Sequence, residues 1–474
     1  MRKSFQILCA GILALAITQE GRPLEAASSQ ATAPEAESGD TEKRLRDLEA
    51  RLKELAAAVE ELRKGEPGAA SARIAQLEKQ IDALTHEIER LRLGEAAAPA
   101  AARSEHGLGP AASKIYGLRE GVSIGGYGEV VYRDFSSRDD SGSPSGADDQ
   151  WDLLRAVLYF GYKWSDRILF NSEIEFEHAT TGEGGEEKGE VSVEFAYLDF
   201  LMKKGFNIRG GLLLIPVGIL NEMHEPTTFP GVLRPAVETL VLPTTWRENG
   251  IGVFGETGWL SYRGYLVAGL DATGFSGEEG IREGRQGGSA SLANSLALTG
   301  RVDLTRVPGL VAGIAAFRGN SDQGEIPADA KVETLDFHAQ YQWRGFEARG
   351  LWARVDVEDA EVINQALGIL PLSGDSVGER IKGWYLQAAW DIFSLRSRSD
   401  QQYLAPFVGY EALNTQDSVP TGFSANPAFE RRIRTLGLTW KPIPQVALKL
   451  DYQDVDNAAG TGVDEFHAGL GWIF

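Results

Sequence analysis

From about residue 120 onward the chain alternates with a period of two. Leu154, Ala156, Leu158, Phe160, Tyr162 and Trp164 share one parity, and Arg155, Val157, Tyr159, Gly161 and Lys163 the other. Ile168, Phe170, Ser172, Ile174 and Phe176 alternate with Leu169, Asn171, Glu173, Glu175 and Glu177. Leu335, Phe337, Ala339, Tyr341 and Trp343 alternate with Asp336, His338, Gln340 and Gln342, and Val446, Leu448, Leu450 and Tyr452 with Ala447, Lys449, Asp451 and Gln453. Strict alternation is the signature of strands with two unlike faces. No soluble core would accept the glutamate face as its interior, whereas a water-filled lumen would. The last strand fits the same scheme: Phe466, Ala468, Leu470, Trp472 and Phe474 lie on one side, with Glu465, His467, Gly469, Gly471 and Ile473 on the other.

The pattern predicts strands near 121–133, 151–164, 167–178, 190–202, 205–215, 249–257, 259–271, 295–306, 309–319, 332–343, 345–356, 380–393, 402–413, 431–441, 444–454 and 463–474. Tight turns such as Trp164–Arg167, Arg344–Gly345 and Lys441–Pro444 alternate with long, acidic or Gly-rich connections. Short turns at one end opposite long loops at the other, with an even strand number, predict an all-β fold: a sixteen-stranded antiparallel transmembrane β-barrel over residues 117–474. Outer-membrane lipid would then be its surroundings. The aromatic strand Phe466, Leu470, Trp472, Phe474 would be the signature read by a barrel-assembly machinery.

The first 116 residues follow other rules. Arg2 and Lys3 precede an apolar stretch from Phe5 to Ile17, with small residues at Ala26 and Ala27, which reads as a signal peptide over 1–27. Leu45, Leu48, Leu52, Leu55, Val59 and Leu62 form one heptad seam; Ile74, Leu77, Ile81, Leu84, Ile88 and Leu91 form another after Gly65–Gly68. These two blocks predict an α-helical coiled coil over 41–93, either folded back as a hairpin or aligned in a parallel oligomer. Residues 94–116, rich in Ala, Pro, Gly and Ser, read as a flexible linker.

Composition narrows the reading further. Past residue 30 no run reaches the ~20 apolar residues of a membrane helix, so any spanning must be done by strands. Cys9, the single cysteine, lies in the expected leader, which leaves no disulfide framework. The net charge of −21 argues against a nucleic-acid partner. Residues 116–474 hold 50 acidic and 31 basic side chains, so most of the excess charge sits on the barrel. The pattern calls for no cofactor and no metal.

One connection stands apart. Residues 216–249 carry five prolines and several large apolar side chains, which predicts a stiff loop folded into the lumen. Arg209-Gly210-Gly211, Pro216-Val217-Gly218, His224-Glu225-Pro226, Arg234-Pro235, Pro243, Trp246-Arg247-Glu248, Gly250-Ile251-Gly252, Gly300-Arg301-Val302 and Pro308-Gly309-Leu310 together resemble the phosphate-selective porin O/P family. The resemblance covers roughly residues 120–474. It implies a homotrimeric outer-membrane porin of a Gram-negative bacterium, with the third long connection narrowing a channel for small ions or solutes and the helices in the periplasm. Lumenal basic residues in that family draw anions inward. The candidates for pore and constriction here are Arg155, Arg209, Arg234, Arg247, Arg263, Arg301, Glu173, Glu175, Glu177, His224 and His338, with Arg349 a further lumenal base and Arg234 and Arg247 expected on the loop. The competing reading pairs these arginines with carboxylates such as Glu129, Glu173, Glu175, Glu194 and Asp303. The absence of lysine from the loop and the acidic excess point to weak selectivity rather than a phosphate channel. Two other functions fit the same chain: an envelope tether anchored by a barrel, and an outer-membrane barrel enzyme, although no nucleophile or metal spacing supports the latter.

Overall fold

The computed structural model describes residues 34–63, 104–180, 189–395 and 402–474, with positions 77, 80, 81 and 84. The chain divides into two units, Met1–Ala98 and Pro99–Phe474. In the first, helix α1 (Pro34–Arg63) carries the first heptad block. Leu52 and, from the second block, Leu84 pack against Leu48. The expected signal peptide, the second block apart from positions 77, 80, 81 and 84, and residues 94–103 lie outside the described residues.

The second unit is a closed barrel of sixteen antiparallel strands, each paired with its sequence neighbours, with β1 closing on β16. The strands are β1 Gly121–Phe135, β2 Gln150–Ser165, β3 Ile168–Glu177, β4 Val191–Lys203, β5 Phe206–Leu214, β6 Arg247–Glu256, β7 Leu260–Ala268, β8 Leu296–Leu304, β9 Leu310–Gly319, β10 Val332–Trp343, β11 Phe346–Val357, β12 Arg380–Trp390, β13 Tyr403–Ser418, β14 Glu430–Ile443, β15 Val446–Asn457 and β16 Glu465–Ile473. Closure leaves no sheet edge with unpaired backbone groups, the condition for standing in lipid. At one tight turn Arg344 and Gly345 both adopt positive φ (49° and 83°), which matches a two-residue hairpin to the twist of its strands.

The alternation read from the sequence sets the two faces. Leu158, Phe160, Tyr162, Trp164, Phe176, Phe337, Trp352, Trp384, Leu436 and Leu470 are exposed around the outside. Their neighbours of opposite parity point inward. At the closing seam, Phe474 exchanges backbone bonds with Gly126 (3.1 and 2.9 Å). The rings of Phe474 and Trp472 lie where side chains at Gly126 and Gly128 would stand.

The inside is not the open, wetted surface that the glutamate face suggests. Glu173 and Glu175 are 0% and 3% exposed, and Glu177 stands only half-buried at the end of β3. The space is filled by a continuous apolar core. Ile215, Val217, Ile219, Leu220, Val237, Val241 and Trp246 of the inserted connection meet wall residues Tyr127, Tyr159, Phe195 and Tyr197. Leu108, Ala111, Ala112 and Ile115 join that core. Residues 104–116, read from sequence as the end of a linker, are therefore packed against the barrel's inner wall, and Lys114–Gly117 forms a single helical turn. The Ala, Gly, Pro and Ser that make up over half of the segment suit a linker and equally suit a chain threaded into a narrow lumen; composition does not separate the two.

Candidate functional site

The inserted segment, residues 215–246, begins and ends at one point on the wall. Asn221 fastens it there: its Nδ2 donates to the carbonyls of Ile215 (2.7 Å) and Trp246 (2.8 Å), and its Oδ1 accepts from the Trp246 amide (2.6 Å). The segment then crosses the lumen, where each strand from β10 to β15 binds it. Asp336 on β10 accepts from the Gly218 amide (2.9 Å). Arg349 on β11 donates to the Thr228 carbonyl (2.7 Å), Lys441 on β14 to Thr227 (2.8 Å) and Lys449 on β15 to Gly231 (2.7 Å). Glu411 on β13 accepts from the Val237 amide (3.2 Å), and Tyr385 on β12 donates to Glu238. Glu238 itself accepts the amides of Ile219 (2.9 Å) and Leu220 (2.6 Å), which folds the segment on itself. On β16, the inward glycines Gly469 and Gly471 leave room that Val232 and Pro226 occupy.

The candidate arginines fall into two groups. On the β1–β4 wall, Arg155 bridges Glu129 (2.5 Å) and Glu175 (2.9 Å), with Glu177 at 3.7 Å. Arg247 pairs with Glu194 (2.5 Å), and His224 Nε2 lies 3.1 Å from Glu173. Arg247 opens β6 rather than standing on the loop as expected. Its partner Glu194 is the extra residue of a β-bulge, since Glu173 pairs with Phe195 and Ile174 with Val193. The bulge turns Glu194 inward beside Phe195, against simple alternation. Burial and the nearby Arg234 charge pull the His224 imidazole down to about 3, which keeps it neutral.

Further round, Arg209 forms a two-pronged bond to Asp199 (2.7 and 2.9 Å) and lies between the rings of Tyr197 and Phe254, 4.0 and 4.6 Å from their centroids. Arg263 binds Glu222 (2.9 Å) and Asp303 (3.3 Å). Arg301 binds Asp303 (2.7 Å) and the Gly218 carbonyl. His338 is held between Asp336 (2.6 Å) and Asp303 (2.8 Å). These two groups account for five of the six candidate arginines, each with a carboxylate partner. Arg234 differs: among the described residues it has no carboxylate within 4 Å, and it donates to Thr245 Oγ1 (3.2 Å) and the His224 carbonyl (3.4 Å). It borders a cavity of about 400 Å³ at the long-loop end with Arg133, Glu278 and Arg431. Arg247 borders a second, of about 530 Å³, with Arg282 and Arg285.

Sequence reasoning missed Asp199, Glu222 and Asp336 as partners, and Tyr116 altogether. Asp336 had an inward parity that could have flagged it. Tyr116 had no signal, because it lies outside any periodic stretch.

No family model matches the chain. An uncharacterized protein of Aquifex aeolicus (strain VF5) is 41% identical over 381 residues, spanning 79% of this chain and 85% of that protein. The chain belongs to that protein's family. Among solved structures, Salmonella typhi OmpF in complex with daunomycin aligns at 15% identity and a TM-score of 0.48, covering 74% of this chain and 97% of that one. An anion-selective porin from Comamonas acidovorans aligns at 13% and 0.46, covering 75% and 100%. OmpT of Vibrio cholerae in a trimer form aligns at 11% and 0.45, covering 75% and 100%. The barrel described above rests on its own strand pairing.

Proposed function

We propose that the chain is an outer-membrane channel of a Gram-negative bacterium, passing small ions or solutes by passive diffusion and assembled as a homotrimer, with its heptad helices in the periplasm. The observation that carries this reading is a closed barrel with an apolar exterior and a charged inner wall, crossed by a segment bound through its own carbonyls and amides. A mere anchor has no need of some dozen ionisable side chains inside. The same charges argue for weak selectivity. Arg155, Arg209, Arg247, Arg263 and Arg301 each have a carboxylate partner. Among the described residues that leaves Arg234 and Arg349 as lumenal arginines without one; Arg349 lies towards the short turns, and Arg234 towards the long loops, which are acidic. Within about a Debye length, ~8 Å at physiological salt, such a mouth gathers cations and repels anions.

Recording from planar bilayers tests both parts. Discrete conductance steps are expected, with a reversal potential near zero in a KCl gradient and little change on adding phosphate. Strong anion selectivity with chloride current blocked by low phosphate would instead assign the role of a phosphate-selective porin's lumenal bases to Arg234 and its neighbours. The second reading, an envelope tether, is favoured by one observation: the mid-height inner wall is buried, from Glu173 on β3 to Asp451 on β15 and His467 on β16. A preparation that is folded and inserted but passes no current under any condition would establish the tether.

A further inference from the structure

The segment that packs inside the barrel ahead of β1 is seated unlike the inserted connection. Where the inserted connection is tied to the wall by the chain at both ends, this segment is tied only where it enters β1, and side-chain contacts hold the rest, apolar at Leu108, Ala111, Ala112 and Ile115 and polar elsewhere. The Glu225 carboxylate accepts the amides of Ala111 (2.9 Å) and Ala112 (3.0 Å). Asn171 Nδ2 donates to the Ala112 carbonyl (3.0 Å), and Lys163 Nζ to those of Tyr116 (3.0 Å) and Leu118. The Tyr116 hydroxyl donates to Asp199 (2.7 Å) and accepts from Arg209 (2.7 Å). Lys114 Nζ reaches the Ile124 carbonyl (2.7 Å). Ile115 fills the hollow left by Gly161.

A permanent seal in a barrel is expected to be apolar, since a buried polar group stripped of its partner costs ~1–3 kcal/mol. This seat combines the apolar contacts of Leu108, Ala111, Ala112 and Ile115 with a set of polar ones. Glu225, Asn171, Lys163, Asp199 and Arg209 are all groups that water satisfies once the segment leaves. Asp199 and Arg209 would still have each other. Departure therefore strands no polar group on the wall, and it uncovers a polar track on β2–β5 made of Lys163, Asn171, Asp199 and Arg209, set among the rings of Tyr159, Phe195 and Tyr197.

We propose that residues 104–118 are a gate: a displaceable plug that occludes the polar track along β2–β5 and leaves it when the channel conducts. The gate rests on the channel reading above. It predicts that the structure described here is the closed state.

A reversible staple tests this in the full-length chain. A Cβ at position 161 would stand 3.2 Å from Cγ1 of Ile115, so thiols at the two positions can join with little backbone movement. The only native cysteine, Cys9, lies in the expected leader. In I115C/G161C channels, oxidation is expected to lower macroscopic current by about tenfold or more, and a reductant to restore it, since locking one state removes the conducting population. A companion variant, Y116F with E225Q, keeps the side-chain volumes and weakens the seat. Its open fraction should rise above the parent's, with folding checked by heat-modifiable migration on a gel. Equal current in the oxidised and reduced staple would overturn the gate while leaving the channel intact. Silence of the parent and of both staple states would remove the channel, and the gate with it.

Discussion

Glu225 shows how one side chain can matter at two levels. It belongs to the inserted segment, yet its carboxylate accepts two amides of the plug. Burial pushes this carboxyl from 4.5 up to about 8, with the two amide bonds opposing the shift and the nearby Glu173 adding to it. The folded state therefore holds the proton more tightly than the unfolded one. Its contribution to stability is full below about pH 4.5 and is lost as pH rises through about 8. Hydrogen exchange at the Ala111 and Ala112 amides should accelerate across that window, beyond the intrinsic effect of pH. In Glu225→Gln the excess acceleration should vanish. An excess that survives in the glutamine variant would place the titrating group elsewhere.

At the scale of the element, strand order and face were legible because alternation is a local property. All sixteen predicted strands are present, with ends displaced by a few residues. Glu194 was legible only in part, since a bulge changes parity without changing composition. The closing seam makes the same point through glycine. A Cβ at Gly128 would stand 2.3 Å from the Trp472 ring, which has nowhere to go but outward into lipid. Gly128→Ala should cost ~1–3 kcal/mol, the usual penalty of overpacking, and lower the temperature at which the barrel loses its compact gel mobility. An unchanged transition would mean that the ring rotates away freely.

At the scale of the molecule, the heptad unit and the barrel are separate units. If the helices reinforce the proposed trimer, removing residues 41–93 should lower the melting temperature of the oligomer and leave conductance per pore nearly unchanged, because the plug at 104–118 remains. Loss of conductance on that deletion would make the helices part of the pore. Native gels across a temperature series, beside single-channel traces, separate the outcomes.

The sequence by itself determined the barrel: the even strand count, the lipid and lumen faces, the stiff connection after the fifth strand and the heptad unit ahead of it. Each follows from a spacing of apolar and polar residues a few positions apart, which is where the chain's local geometry acts. Only the tertiary structure decided what the lumen contains. Arg263 meets Glu222 across 41 residues, Asp336 meets Gly218 across 118, and Ala111 meets Glu225 across 114. No period links such positions. An inward glutamate carries the same pattern whether it faces water or a neighbouring backbone amide, and the choice is made by which distant segment folds in to cover it.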